Sequence, residues 1–136
     1  MKVSIGNPAG VAAPVGPYSH VARVDVGGGS LLFLAGQVAV DDDGAIVGEG
    51  DMTAQSERTF AIIEGILAAH GASFADVIHI RTFLTDMDRR QEYGAVRARY
   101  FPGTPPASTT VEVSRLFQPG FLIEIEVTAA VSAAAP

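Results

Sequence analysis

Three short stretches carry side chains that can hold a small polar molecule and move its protons. They are Gly16-Pro17-Tyr18-Ser19, Pro105-Pro106-Ala107-Ser108-Thr109-Thr110-Val111-Glu112-Val113, and Ile123-Glu124-Ile125-Glu126. A carboxylate such as Glu124 can orient a water or accept a proton, and a phenol such as Tyr18 joins an apolar ring to a polar tip. Ser108 and Thr110 add neutral hydroxyls, and Arg81 adds a permanent positive charge close to His79. Side chains along a strand alternate between faces. By that rule Glu124 and Glu126 oppose Ile123, Ile125 and Val127, while Ser108, Thr110 and Glu112 oppose Val111 and Val113. In the same way His79, Arg81 and Phe83 oppose Ile78, Ile80 and Leu84. The apolar sets predict one core face and one mixed face. Parity assigns Arg81, Ser108 and Glu124 to the mixed face, with Glu112 the expected mate of Arg81.

Other chemistries are poorly supplied. The chain has no cysteine, which excludes disulfides, thiolate metal ligands and cysteine nucleophiles. His20, His70 and His79 lack any metal-ligand spacing, so no metal and no cofactor are expected. Gly27-Gly28-Gly29 reads as a hairpin turn, because no lysine or helix start follows to make a phosphate loop. No nucleophile-elbow motif supports a Ser-His-Asp arrangement. Arg89, Arg90, Arg97 and Arg99 interleave with Asp86, Asp88 and Glu92, the pattern of a solvated, salt-bridged helix.

The elements that position these residues can be read from periodicity and punctuation. With 136 residues, 48% of them hydrophobic and 18% charged, the chain reads as one globular domain. Its net charge of −6 offers no general attraction to phosphate backbones or anionic lipid, so neither nucleic acid nor membrane is an expected partner. No segment has the length of a bilayer span. The N-terminus carries a lone Lys2 and no apolar run, so a cytoplasmic location is expected. Strands at 18–26 and 31–37 form a hairpin about the glycine turn. A helix begins near Asp51 or Thr53, buries Phe60, Ile63, Ile66 and Leu67, and stops at Gly71. A strand at 76–85 precedes a helix at 88–101 that carries Tyr93, Val96 and Tyr100 on one side. Pro102, Pro105 and Pro106 break that helix, and strands at 107–113 and 121–131 follow. A further short strand at 2–6 completes an α+β order, and 132–136 read as a frayed end. Two helices cover only one face of such a sheet. The mixed face is then suited to packing against symmetric copies.

Taken together, the three motif stretches resemble the Rid family of small YjgF-type proteins, over nearly the whole chain. The resemblance implies a chorismate-mutase-like α+β fold, with about six mostly antiparallel strands and two helices on one face. It also implies a homotrimer with a small-molecule cleft at each subunit boundary. Many members hydrolyse reactive enamines and imines to ketoacids and ammonia. In those members an arginine holds the substrate carboxylate, a glutamate positions the water, and the tyrosine of Gly-Pro-Tyr helps line the cleft. Carried over, Glu124 and Tyr18 become the catalytic pair, with one chain's carboxylate facing a neighbour's phenol. Ser108 stands at the arginine position, Thr110 at one often held by cysteine, and Gly94 where asparagine often occurs. Gly36-Gln37 matches a strand-end turn whose backbone faces the cleft.

Serine offers one hydroxyl where arginine offers a charged fork, a difference of about 1.5–3 kcal/mol in a shielded cleft. Arg81 is the expected replacement cation. The resulting expectation is an enamine or imine hydrolase with altered substrate preference, and the alternative is a non-catalytic metabolite binder or sensor. Plainer roles stand beside these, with Tyr18 packing at a boundary and Arg81 and Arg115 serving as ion-pair partners. An older description of the family as ribonucleases fits poorly with the acidic balance and the absence of an aromatic-basic strip.

Overall fold

In the computed structural model, which describes residues 1–133, the strands form one six-stranded sheet with two helices against one face. The strands are β1 (Lys2–Gly6), β2 (Val21–Asp25), β3 (Gly29–Leu34), β4 (Val77–Leu84), β5 (Ala107–Glu112) and β6 (Ile123–Ser132). The helices are α1 (Met52–Ala69) and α2 (Arg90–Tyr100), with 3-10 turns at Phe74–Asp76 and Met87–Arg89. The sheet order is β1-β2-β3-β6-β4-β5. Every neighbouring pair is antiparallel except β4 and β5, which run parallel and are joined by α2. A parallel pair needs such a crossover, since a tight turn cannot reverse the chain twice.

Local chemistry explains the ends of α1. Asp51 caps it by accepting the Ala54 N–H at 3.0 Å. At the other end Gly71 takes φ +73°, which lets Ala72 N–H reach Leu67 O at 2.9 Å and Gly71 N–H reach Ala68 O at 3.0 Å. The predicted stripe Phe60, Ile63, Ile66 and Leu67 is wholly buried against the sheet. Leu32, Ile80, Leu84, Ile123 and Ile125 meet it from β3, β4 and β6. Tyr93 and Val96 anchor α2, and the Phe60 and Tyr100 rings stack with centroids 4.7 Å apart.

Two expectations are corrected here. The alternation in β5 is inverted relative to the core. Its parallel register sets Ser108 beside Ile80, Thr110 beside Thr82 and Glu112 beside Leu84, on the helix side, while Val111 is left exposed on the open face. β5 is an edge strand with almost no buried residue, so no core sorts its apolar from its polar side chains. The last strand also runs further than composition suggests. Ser132 belongs to β6 and pairs with Gly29, and Ala133 N–H donates to Gly28 O at 2.9 Å. The rest of the expected frayed end, 134–136, lies outside the described residues. Among the described residues no helix is long and apolar enough to cross a membrane.

Candidate functional site

On the open face, where β6 begins, a cleft of about 240 Å³ is lined by Val15, Tyr18, Gly36, Val38, Phe117 and Glu124. Glu124 projects from this face because its register partner is Phe83, while Ile123 and Ile125 on either side point into the core. Its carboxyl is half-buried. Loss of hydration raises its pKa above the ordinary carboxylate value of 4.5, and the charge of Glu126 two residues on adds to the shift. Burial likewise raises the Tyr18 phenol. The Val15 backbone opposes that shift and the nearby Glu124 charge reinforces it. Tyr18 and Glu124 therefore share one cleft within one chain. The expectation that a carboxylate faces a neighbour's phenol is corrected.

The reason is a backbone clasp. Gln37 N–H donates to Ile125 O at 2.8 Å and Ile125 N–H returns a bond to Gln37 O at 3.0 Å, tying the end of the hairpin onto β6. Gly36 then passes so close that an added Cβ would stand 2.9 Å from Glu124 Cδ. Only the absent side chain leaves room for the carboxyl. The Gln37 side chain is turned inward, away from the cleft, and its Nε2 donates to Ala35 O at 3.1 Å. Nε2 also lies 3.1 Å from Nδ1 of His20.

His20 is the positioning residue that sequence reasoning missed. It is buried, with Nε2 2.6 Å from Ala12 O and its backbone N–H on Asn7 Oδ1 at 2.8 Å. Those partners make Nε2 the donor and Nδ1 the acceptor from Gln37. The ring thus clamps the segment that carries Val15 and Tyr18 over the start of β6. A lone histidine without metal spacing gives no sequence signal for this role.

The remaining predicted site residues lie elsewhere. Arg81 is on the open face, where Nη2 donates to Glu126 Oε1. Glu112 is not its mate: Glu112 Oε1 accepts the Met87 N–H at 2.9 Å across the end of the sheet. Ser108 and Thr110 face α2, separated by the sheet from Arg81 and Glu124. The cation that does reach Ser108 is Arg97 of α2, whose Nη1 donates to Ser108 Oγ at 2.8 Å. Its signal was the four-residue spacing from Tyr93, which puts both on one side of the helix. The salt-bridged-helix reading holds for Arg89, paired with Glu92; Arg99 pairs instead with Glu57 of α1, and Arg90 has no carboxylate partner among the described residues. It does not hold for Arg97.

A larger hollow of about 620 Å³ lies on the helix side between Phe74, Tyr100 and Phe101. It has an aromatic floor and is also lined by the Tyr100 phenol, Arg99 and Glu64, but Glu64 is exposed, unlike the half-buried Glu124 of the 240 Å³ cleft. Among the described residues no three His, Asp or Glu side chains gather as metal ligands would.

Residues 10–131 match the family model described as Endoribonuclease L-PSP. Protein DfrA of Myxococcus xanthus is 39% identical over 115 residues, covering 85% of this chain and 86% of that protein. A RutC family protein of Sulfurisphaera tokodaii is 40% identical over 114 residues, covering 84% and 87%. The crystal structure of YyfA from Yersinia pestis, a Rid-family protein of unknown function, superposes with TM-score 0.83 at 30% identity, covering 96% of this chain and all of that one. The matched span includes both motifs of the cleft, so the chain belongs to the endoribonuclease L-PSP family, the YjgF/RutC/Rid group.

Proposed function

We propose that this protein hydrolyses small reactive enamines or imines, releasing ammonia, in the Tyr18–Glu124 cleft. The observation that carries the reading is a half-buried carboxyl with a raised pKa sharing a cleft with a phenol, in a chain of this family. Hydrolysis of C=N adds water across the bond. The water oxygen bonds to the carbon while Glu124 takes the proton, and the same proton is then passed to nitrogen. The carbinolamine then collapses as Glu124 takes its hydroxyl proton and returns a proton to the nitrogen, so that the C–N bond breaks, a carbonyl forms and ammonia leaves. A carboxyl held above its ordinary pKa suits both halves of that transfer, because it exchanges protons readily nearer neutral pH. Tyr18 supplies an apolar wall and a neutral hydroxyl donor to the bound molecule.

The cleft is open on one side, and bulk solvent beyond the one reacting water must be excluded for the carboxyl to work as described. We assign that role to a second copy of the chain in a homotrimer. Phe33, Val3, Ile5 and Val111 are exposed apolar residues on the same open face, and Phe117 at the cleft mouth is 63% exposed. Such a face is suited to burial between symmetric subunits. Cutting RNA is not supported: a chain of net charge −6 with a carboxylate in its cleft repels a phosphate backbone.

The test is ammonia release from freshly generated imines of small and bulky amino acids. Acceleration by the wild type, and its loss in folded Glu124→Gln, is the expected result. Ser108 favours a second reading, a non-catalytic binder of small metabolites, because β5 itself carries no cation. Tight binding of a small acid or amide with no ammonia release from any imine would support that reading instead.

A further inference from the structure

The chain has nine lysine and arginine residues. Five arginines have carboxylate partners: Arg23, Arg58, Arg81, Arg89 and Arg99. Of the other four, Lys2, Arg90 and Arg115 are exposed, and Arg97 alone is half-buried. A guanidinium keeps its charge when partly withdrawn from water. Arg97 therefore retains an attraction for an anion that no described residue of this chain satisfies.

Its position is set from three sides. Nη1 donates to Ser108 Oγ at 2.8 Å and more weakly to Tyr93 Oη at 3.5 Å, and Cζ lies 5.8 Å from the centroid of the Phe101 ring. The Tyr93 hydroxyl is held in turn by Thr82 Oγ1 within the sheet. These contacts engage one face and one nitrogen of the guanidinium, leaving Nη2 and Nε without a protein acceptor among the described residues. Gly94, one turn back on α2, leaves the adjoining surface open, since a Cβ there would meet nothing within 4 Å. The result is a half-buried guanidinium beside the edge strand β5 with two N–H groups, Nη2 and Nε, unengaged by the described residues. Two parallel donors on a plane match the two oxygens of a carboxylate.

We propose that Arg97 is the carboxylate anchor of this protein, held at the β5 edge by Ser108 and presented to a small organic acid bound in the next copy's Tyr18–Glu124 cleft. The proposal rests on the reading that copies of the chain close each other's clefts. It also explains Ser108, whose hydroxyl tethers a cation that comes from the helix instead of carrying one on the strand.

The test is calorimetric titration of the full chain at low salt with pyruvate and with its primary amide, pyruvamide. The wild type should bind the acid at least about tenfold more tightly than the amide. Arg97→Ala should bind the two alike, and Arg97→Ala combined with Ser108→Arg should recover the preference, because the charge returns to the same place from the strand. Arg81→Ala, outside the cleft, should keep it. An Arg97→Ala protein that still prefers the acid overturns the proposal, as does a wild type with no preference. A loss that Ser108→Arg fails to recover, in variants whose circular dichroism matches the wild type, also overturns it by assigning Arg97 to packing. A wild type that prefers the acid yet releases no ammonia from imines sinks the hydrolase reading and leaves the anchor standing.

Discussion

Glu124 and Ser108 are held in place by different means, on opposite faces of the same sheet. At Glu124 the backbone does the positioning. A glycine makes room, a pair of main-chain bonds between Gln37 and Ile125 closes the hairpin end onto β6, and buried His20 clamps the segment bearing Tyr18. At Ser108 side chains do it: a guanidinium from α2 spans to the strand over an aromatic ring, steadied by a phenol. A backbone-built site tolerates little change in its local sequence and so leaves a readable motif. A side-chain-built site can draw the same charge from another element.

That contrast can be tested by perturbing each side. The largest effect is expected at Gly36. Gly36→Ala sets a methyl against the Glu124 carboxyl and pushes that side chain aside, so it should lower ammonia release by about tenfold or more while costing less than about 1 kcal/mol of stability. Denaturant titration beside the activity assay checks both. Wild-type activity in that variant would mean that Glu124 does not need its present position.

Next is pH. The Glu124 carboxyl is raised in the folded chain, first by burial and then by Glu126. Between the ordinary carboxylate value and that raised value the folded state binds more protons than the unfolded state. The associated stability is therefore present in acid and lost as pH rises through the folded pKa. Glu124→Gln should be more stable than the wild type at neutral pH, with the gain vanishing in acid. The same titration should show in the wild-type activity as an acid limb displaced above the usual carboxylate range. An advantage of Glu124→Gln that grows in acid would reverse the sign argued here.

The smallest effect belongs to Arg81. Its pair with Glu126 is largely exposed, so Arg81→Ala should change stability by less than about 1 kcal/mol and leave the preference for pyruvate over pyruvamide intact. Loss of that preference would return the anchor to β4, where strand parity puts it.

Much of the fold was legible because its signals are local. The α1 stripe, the Asp51 cap, the Gly71 stop and the glycine hairpin each lie where periodicity and turn chemistry place them. The motif residues Tyr18, Gly36 and Glu124 were legible as a set, though not their meeting within one chain. That depends on the Gln37–Ile125 bridge, a contact between segments far apart in sequence. The faces of β5 were read wrongly for a physical reason. Alternation reports burial, and an edge strand beside a polar stretch of helix has little burial to report. Arg97 was hidden by its neighbours, since Arg89 and Arg99 have nearby carboxylates and composition cannot show that Arg97 has none among the described residues.

The most direct test of the shared site is complementation between two inactive variants. Glu124→Gln retains Arg97, and Arg97→Ala retains the Tyr18–Glu124 cleft. If each working site joins one copy's cleft to another copy's Arg97, equal amounts co-refolded at random should assemble an intact pair at about one quarter of the boundaries of a cyclic trimer. Ammonia release should then recover to about a quarter of the wild-type rate, well above either variant alone. A mixture no more active than its parents, in trimers shown to have exchanged subunits, would contradict the shared site.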